Sequence, residues 1–287
     1  MMRRLLRLTL LSLAALCASA AMGLGAYLVW FHLMRPQPRP TRQRLFAGVV
    51  YQRDVQASPP LVQHLVRIDL TTPGLRFLVT PHTGGRFRAS TVSNFLRRHR
   101  LQLAINGDFF HPFHSRHPWD YYPHEGDPVR VFGLSCSARR CNNRRSRNRP
   151  TLYIDCDGRP GFRRPAQVCH AVSGLRLLAR GKVHPGLIPG GRHPRTALAM
   201  DRLERTLLLL VVDGRQPGYS DGVTPSELAR LMLSAGGYNG INLDGGGSSA
   251  LVVERDGHAV QLNAPIHTRL VGRERLVANH LGLWAPR

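Results

Sequence analysis

Lysine is almost absent from this chain, and acidic side chains are few. Lys182 is the lysine, so arginine supplies nearly all of the 40 basic residues, against 17 acidic ones, and the formal net charge is +23. An excess of this size suits nucleic acid, anionic lipid headgroups or an acidic polysaccharide. No nucleic-acid-binding motif accompanies the arginines, many of which lie in polar stretches such as 139–149, so we expect no nucleic-acid partner. A solvated basic surface is the simpler explanation.

The motifs of several other protein classes are also missing. No G-K-[ST] follows the glycine-rich loop at 245–247, which excludes a nucleotide P-loop. The chain has no internal repeat. Its five cysteines lack C-x-x-C spacing, which argues against a structural zinc site.

Apart from Cys17, the cysteines form an even set in the middle of the chain. An even number in an exported domain predicts two disulfides. We expect the local pairs, because each closes a short loop, although the sequence alone leaves the pairing open. The expected pairs are Cys136 with Cys141 and Cys156 with Cys169.

Residues 8–34 form an apolar run in which His32 is the one strongly polar side chain. At about 1.5 Å per residue, a helix of this length can cross a bilayer core of about 30 Å. Tyr27, Trp30 and Phe31 lie near its far end, where an interfacial aromatic belt is usual. The run therefore predicts a transmembrane helix.

This run sets the organisation of the chain. We predict a signal-anchor at 1–34, a linker rich in proline and arginine at 35–45, and a single domain at 46–287. The basic N-terminus should stay inside the cell, which places the domain outside the cytosol, in a bacterial periplasm or at the cell surface. Secretion after signal cleavage is the alternative, because Ala18-Ser19-Ala20 resembles a cleavage site.

Alternating or continuous apolar runs predict mostly strands across the domain. Helices are predicted at 91–98, capped by Ser90 or Thr91, and from Thr224-Pro225-Ser226-Glu227, a capping box with proline at the first helical position. Residues 111–150 show no clear period and predict an irregular lid or substrate-facing insertion. The predicted fold class is α+β, a single domain with a mixed β-sheet core and few helices. The main predicted strands lie at 48–55, 65–70, 75–80, 101–105, 196–200, 207–212, 241–243 and 250–253.

The chemistry of the chain is concentrated in I-N-L-D-G-G-G-S-S at 241–249. Asp244 closes an apolar strand and opens a loop of glycines, which let a ligand approach the backbone closely. Asp before glycine is also a common turn former. Because consecutive backbone N–H groups can hold an anion, the loop at 245–249 predicts a phosphate-binding nest.

Two further carboxylates are candidates for catalysis. Asp213 follows the strand at 207–212 as Asp244 follows the strand at 241–243, and parallel neighbouring strands would place both at one crevice. Glu227 belongs to the capping box, which explains it without catalysis. Glycoside hydrolysis usually needs two carboxylates, but a phosphodiester is a good leaving group, so one can suffice.

Several blocks of sequence occur in a fixed order along the domain. They are I-N-G-D-F-F at 105–110, R-T-A-L at 195–198, V-D-G-R-Q at 212–216, S-D-G-V-T-P-S-E-L-A at 220–229, I-N-L-D-G-G-G-S-S at 241–249 and R-L-V-A-N-H-L-G at 275–282. Together they resemble the phosphodiester glycosidase family over residues 46–285. The resemblance implies an α+β domain with mixed sheets that hydrolyses the bond between a sugar anomeric carbon and a phosphodiester. Asp108 and Met200 depart from the family's usual glycines.

The resemblance and the strand-end positions together define the predicted site. Asp244 is the leading catalytic carboxylate, and Asp213 and Glu227 are further candidates. Arg195 and Arg215 suit bidentate contacts with phosphate. The predicted substrate-binding residues are Asn106, Asp108, Arg195, Thr196, Arg215, Asn242, Gly245, Gly246, Gly247, Ser248, Ser249, Arg275 and Asn279.

Histidines cluster at positions 111, 114, 117 and 124. Pro112 and Pro118 interrupt any helix that would place them on one face, so a solvated loop is favoured over a metal site. We predict no cofactor, and the sequence leaves a divalent metal open.

The predicted function is hydrolysis of a glycosyl phosphodiester in an envelope or extracellular glycoconjugate by a membrane-anchored enzyme. The expected partners are this glycan substrate and the membrane around the N-terminal helix. Two alternatives remain. One is a noncatalytic module that binds anionic polysaccharide through the basic surface, and the other is a metal-dependent phosphodiesterase that attacks phosphorus.

Overall fold

The apolar N-terminal run folds as one long helix, α1 (Met2–Leu33). The computed structural model describes residues 2–33, 35–142 and 149–287. Within them, the segment 7–33 is long and apolar enough to cross a membrane, and none of its most apolar part is buried against the protein. A surface that protein does not cover suits a lipid environment, although a signal sequence has the same length and composition.

The remaining elements are mostly short strands. The other helices are α2 (Val92–His99) and α3 (Pro225–Ser234), with a 3-10 turn at Gly246–Ser248. The strands are β1 (Thr41–Phe46), β2 (Val49–Gln56), β3 (Leu61–Asp69), β4 (Arg76–Val79), β5 (Phe87–Arg88), β6 (Leu103–Asn106), β7 (Phe110–His111), β8 (His114–His117), β9 (Asp120–Tyr122), β10 (Pro128–Val131), β11 (Ser135–Ser137), β12 (Arg140–Cys141), β13 (Thr151–Asp155), β14 (Pro160–Gly161), β15 (Val168–Ser173), β16 (Leu175–Ala179), β17 (Lys182–Val183), β18 (Arg195–Met200), β19 (Thr206–Val212), β20 (Asn239–Asn242), β21 (Leu251–Arg255), β22 (His258–Gln261), β23 (Ile266–His267), β24 (Leu270–Val271) and β25 (His280–Trp284).

Two sheets pack face to face around the main core. The large sheet has eight strands in the order β1-β2-β3-β19-β18-β20-β16-β17, and the small sheet has five in the order β22-β21-β6-β25-β4. The core contains Ile68 and Leu209 from the large sheet and Ile105 and Leu251 from the small one. Helix α3 covers the outer face of the large sheet, and α2 covers that of the small sheet. The domain is therefore layered α–β–β–α.

Strand β19 shows why a continuous apolar run becomes a strand in this fold. Leu209 and Val211 belong to the main core between the sheets, whereas Leu208 and Leu210 pack under α3. Both faces of the strand are buried, so its sequence needs no polar alternation.

Strand direction differs from the sequence prediction. The pairs along the large sheet are antiparallel, and so are those of the small sheet. The chain leaves β19, forms α3 and returns as β20. Strand β18 lies between β19 and β20 in the sheet, so these two strands are not neighbours. The predictions of a mixed sheet and of parallel neighbouring strands are therefore wrong for these two sheets. The ends of β19 and β20 still lie at one edge, since Arg195 pairs with Val212 and Ala197 pairs with Asn242.

Strand β1 begins inside the segment predicted as a linker. It pairs with β2 at the edge of the large sheet, with Arg42 and Arg44 exposed. Charged residues are common on edge strands because they prevent pairing with other chains. This composition concealed the strand, and only residues 35–40 of the predicted linker precede it.

The segment predicted as an irregular insertion also contains strands. Strands β7 to β12 lie there, whereas 143–148, part of the predicted arginine-rich loop, lie outside the described residues. Strands β5, β10 and β7 form a three-stranded sheet, and β11 joins a third sheet of order β12-β11-β15-β13-β14. These strands are two to four residues long, too short to produce a periodic sequence pattern.

The two domain helices begin at the residues that capping predicts. The Thr91 hydroxyl accepts a hydrogen bond from the Asn94 N–H at 3.1 Å and caps α2. Thr224 and Glu227 form the reciprocal capping box of α3, with Pro225 in the first turn. Both helix starts are therefore confirmed.

Both predicted disulfides are also confirmed. Cys136 and Cys141 join the β11–β12 hairpin, and Cys156 and Cys169 join the turn after β13 to β15. Both bridges therefore lie in the third sheet, where each adds a covalent link between segments that are close in sequence.

Reduction of the disulfides should destabilise the domain. Loops of this size predict a loss of about 2–4 kcal/mol in the free energy of unfolding, a fall of about 5–15 °C in Tm. Thermal unfolding with and without a reductant measures it. Cys17 is free and exposed, so Cys17→Ser is the control and should respond to the reductant as the wild type does. An unchanged Tm in the reduced wild type would contradict a stabilising role.

Candidate active site

Asp244 lies at the edge where β19 and β20 end, and the backbone on both sides of it is held from the small sheet. Its N–H donates to the Gly107 carbonyl at 3.0 Å, and the Asn106 side-chain amide donates to the Asp244 carbonyl at 2.8 Å. Asn106 in turn accepts from the Thr196 hydroxyl at 2.8 Å. Strands of both sheets thus fix the position of Asp244.

The Asp244 carboxylate is held on both oxygens. Oδ1 accepts from the Gly245 N–H at 2.8 Å, and Oδ2 accepts from the Ser248 hydroxyl at 2.6 Å. Arg275 donates to the same hydroxyl at 3.1 Å. Burial raises the pKa of Asp244 above its ordinary value, while Arg275, Ser248, Gly245 and Arg215 oppose the rise. The carboxyl group is therefore oriented and placed beside positive charge.

Two arginines flank this carboxylate. Arg275 is partly buried, and its guanidinium lies 4.2 Å from the centre of the Phe113 ring. Burial lowers the pKa of Arg275 to about 10, which leaves it charged at neutral pH. Arg215 is an exposed residue in a bend of the backbone, where its φ is 59°. Its Nε lies 3.4 Å from Nδ1 of His193. The pair provides the positive charge that a phosphate requires.

The glycines of the loop allow these arginines to approach. A β-carbon on Gly247 would lie 2.8 Å from an Arg275 nitrogen, and one on Gly246 would lie 3.1 Å from an Arg215 nitrogen. A β-carbon on Gly245 would lie 2.8 Å from the Pro194 carbonyl oxygen. The close approach expected at these glycines is therefore made by protein groups.

The predicted anion nest on the loop backbone is mostly occupied by the protein itself. The N–H groups of Gly246, Ser248 and Ser249 donate to carbonyl oxygens at 2.8, 3.2 and 3.2 Å. That of Gly245 binds the Asp244 carboxylate. A nest that spans 245–249 is thus wrong, because the tight 3-10 turn uses its own donors. The arginine side chains beside the loop remain the candidate groups for an anion.

A cavity of about 760 Å³ opens beside the two arginines. Its wall contains Arg215 and Arg275 together with Arg116 of β8 and Arg269 of the β23–β24 turn. The cavity wall stops short of Asp244, which adjoins it through Arg275 and Ser248. A concave site with several convergent cations is suited to an anionic ligand.

Residues 99–284 match the sequence profile of the phosphodiester glycosidases. The chain belongs to the phosphodiester glycosidase family. The match contains Asp244, both flanking arginines and the block at 275–282 that includes Asn279.

Solved structures of low sequence identity share the fold. One is a hypothetical protein from Synechocystis, with a TM-score of 0.60 and 15% identity, covering 86% of this chain and 64% of that one. Another is the zebrafish N-acetylglucosamine-1-phosphodiester alpha-N-acetylglucosaminidase catalytic domain auto-inhibited by its pro-peptide, with a TM-score of 0.57 and 19% identity, covering 87% and 85%.

A curated protein is similar over a short segment. The SPbeta prophage-derived uncharacterized protein YomE of Bacillus subtilis (strain 168) is 44% identical over 63 residues, which are 22% of this chain and 10% of that protein. The chain thus spans under two thirds of the Synechocystis protein and a tenth of the prophage protein.

In this family member, Asp213 does not face the cavity. It is fully buried, and Oδ1 accepts from the Asn263 amide at 3.0 Å and the Ala264 N–H at 2.9 Å. Oδ2 lies 3.0 Å from His64 Nε2 and 3.4 Å from the Tyr219 hydroxyl. With partners on both oxygens and no exposed surface, Asp213 holds β19, β3 and the chain before β23 together. The prediction that it shares a crevice with Asp244 is wrong.

Glu227 is also occupied. Its carboxylate accepts from the Thr224 N–H at 2.8 Å and pairs with Arg192. Burial on its own would raise its pKa, but the contacts with Thr224 and the nearby arginines together lower it. Helix capping and an ion pair account for Glu227, and the catalytic role is not supported.

Several predicted binding residues are buried supports. Asp108 pairs with Arg149 and accepts from the Gly133 N–H at 2.7 Å, and burial raises its pKa to about 6. Asn279 accepts from the Asp108 N–H at 2.9 Å. Arg195 donates to the Val223 and Gly191 carbonyls at 2.8 and 3.0 Å. The buried residues of the predicted binding set that carry polar side chains are Asn106, Asp108, Thr196, Asn242, Ser248, Ser249 and Asn279.

Sequence reasoning missed the second arginine pair of the cavity wall. Arg116 lies in a segment that was predicted to be irregular, and Arg269 lies in a turn at φ of 64°. The available signal was the density of arginine at 269, 273 and 275. Within the described part of the chain, no three His, Cys, Asp or Glu side chains converge as metal ligands.

Proposed function

We propose that the domain hydrolyses the bond between a sugar anomeric carbon and the oxygen of a phosphodiester. The observation that carries this proposal is the placement of one oriented carboxylate, Asp244, beside two arginines on the wall of a cavity. Membership of the phosphodiester glycosidase family supports the same reaction.

Asp244 acts in its ionised form at the anomeric carbon, as base for a water molecule or as nucleophile. The new bond joins carbon 1 to the incoming oxygen, and the bond from carbon 1 to the phosphate oxygen breaks with its electron pair on the phosphate. A phosphodiester with one negative charge thereby becomes a phosphomonoester with two. Arg275 and Arg215 stabilise the charge that develops on this leaving group.

We place this activity outside the cytosol. Helix α1 serves as an uncleaved membrane anchor, and the two disulfides suit an oxidising compartment such as the periplasm or the cell surface. The substrate is an envelope or extracellular glycoconjugate. Because the zebrafish enzyme is an alpha-N-acetylglucosaminidase, an α-linked N-acetylglucosaminyl phosphodiester is the first substrate to test.

Incubation of the purified chain with that phosphodiester tests the proposal. We expect release of free sugar and a phosphomonoester in amounts proportional to time and enzyme. Tight binding of the substrate or of anionic glycan without product release would instead favour a noncatalytic module.

Activity should rise with pH through the pKa of Asp244. Burial raises that pKa, so the ionised carboxylate forms at higher pH than for an exposed aspartate, whose pKa is about 4. On the acid side, kcat/KM should therefore fall about tenfold per pH unit, with a midpoint above about 4. A pH–rate profile on enzyme checked for folding at each pH measures this. If kcat/KM stayed constant down to about pH 4, or fell as the pH rose on the acid side of the profile, Asp244 would not act in its ionised form.

A further inference from the structure

The far end of α1 forms part of the cavity wall beside the active site. Tyr27 and Phe31, one helical turn apart, line the cavity that contains Arg215 and Arg275. The adjacent Trp30 donates from its indole N–H to the Val271 carbonyl of β24 at 3.2 Å. Helix α1 is thus docked on the domain at the cavity, rather than connected to it only through the linker.

The position of these residues along α1 determines where the cavity lies relative to the bilayer. The apolar span has 27 residues, or about 40 Å of helix at about 1.5 Å per residue, against a hydrocarbon core of about 30 Å. Tyr27 and Phe31 therefore lie near the outer interface, where aromatic side chains prefer to reside. With α1 as the proposed membrane anchor, the cavity opens at the membrane surface.

A second element of the cavity rim has the composition of a membrane contact. The turn between β8 and β9 presents Trp119, which is 79% exposed. Its ring stacks on His117 at 5.4 Å between centroids, and His117 and Pro118 line the same cavity. An exposed tryptophan beside arginines is favourable at an interface with anionic headgroups.

We propose that the substrate is embedded in the membrane: a glycosyl phosphodiester whose second ester is a long hydrocarbon chain. This inference rests on the proposed function. The phosphate binds Arg215 and Arg275, and the hydrocarbon passes Tyr27 and Phe31 into the outer leaflet. Hydrolysis then releases the sugar to the aqueous side and leaves a lipid phosphomonoester in the bilayer.

A pair of substrates with one headgroup tests the inference. The full-length chain is reconstituted in vesicles of phosphatidylethanolamine and phosphatidylglycerol, and it receives α-N-acetylglucosaminyl phosphate as the hexadecyl or the methyl ester. Because hydrocarbon keeps the ester in the bilayer at the cavity mouth, we expect kcat/KM to be at least about tenfold higher for the hexadecyl ester. Equal or faster cleavage of the methyl ester would overturn the membrane-substrate inference and leave the proposed reaction intact. Cleavage of neither ester would overturn the proposed reaction for this headgroup and the inference with it.

A matched pair of variants separates membrane contact from general surface effects. Trp119→Ser should lower kcat/KM on the hexadecyl ester in vesicles about tenfold, since the rim loses its interfacial aromatic. Leu203, which is 71% exposed, lies in the β18–β19 turn at the opposite end of the strands. Leu203→Ser should leave that rate unchanged. Equal rates for the two variants would contradict the role of the rim at the membrane.

Discussion

Replacement of Asp244 by Asn should lower kcat/KM on a glycosyl phosphodiester about a thousandfold. Asn has nearly the same shape, and its oxygen can still accept from the Gly245 N–H, as Oδ1 does at 2.8 Å. What it lacks is the negative charge and basicity needed at the anomeric carbon. Steady-state kinetics measure the loss, and thermal unfolding shows whether the fold is retained.

Asp201 provides the matched control for this change. It lies at the opposite end of β18 and β19, where its carboxylate accepts from the Arg205 and Thr206 N–H groups at 2.8 and 3.0 Å. Asp201→Asn makes the same chemical change away from the cavity and should leave kcat/KM within about twofold of wild type. Near-normal turnover by Asp244→Asn would remove Asp244 from the mechanism.

Loss of Arg275 should have the second largest effect. Arg275→Ala removes the cation that contacts Ser248 at 3.1 Å and faces Asp244, and kcat should fall about 100- to 1000-fold. The loss should appear mainly in kcat, because charge develops on the phosphate as the bond breaks. Arg275→Lys should recover part of the rate, since it restores the charge without the planar fork of donors.

An exposed arginine controls for the general loss of positive charge. Arg202 is exposed and lies in the β18–β19 turn, at the opposite end of these strands from Asp244, and Arg202→Ala should change kcat by no more than about twofold. A similar loss in both variants would attribute the effect to the net charge of the protein rather than to the cavity. If Arg275→Ala raised KM and left kcat unchanged, Arg275 would instead contribute to ground-state binding.

Local signals predicted local structure well in this chain. The capping residues Thr91 and Thr224 mark helix starts because their hydrogen bonds stay within one turn. The disulfides join cysteines that are close in sequence. The continuous apolar run at Leu207–Leu210 predicts a strand that is buried on both faces, and no knowledge of the neighbouring strands is needed; all four leucines are buried. The candidate site around Asp244 was also indicated locally, by an aspartate and glycines at the end of an apolar strand.

Properties that depend on distant segments could not be predicted in this way. Whether Asp213 faces a cavity depends on His64, Tyr219 and Asn263, which come from three separate segments. The position of β18 between β19 and β20 depends on the order of the sheet. The docking of Tyr27 at the cavity depends on how α1 meets the β23–β24 hairpin.

Hydrolysis in oxygen-18-labelled water tests the central claim most directly, because it identifies the bond that breaks. Attack at the anomeric carbon, as proposed for the site around Asp244, places the label in the sugar and leaves the phosphomonoester unlabelled. Phosphate oxygens do not exchange with water on the time scale of the assay, and a sample of free sugar in labelled water corrects for exchange at carbon 1. Mass spectrometry of the phosphomonoester should therefore show no label. Label in the phosphomonoester would mean attack at phosphorus and would contradict the glycosidase mechanism.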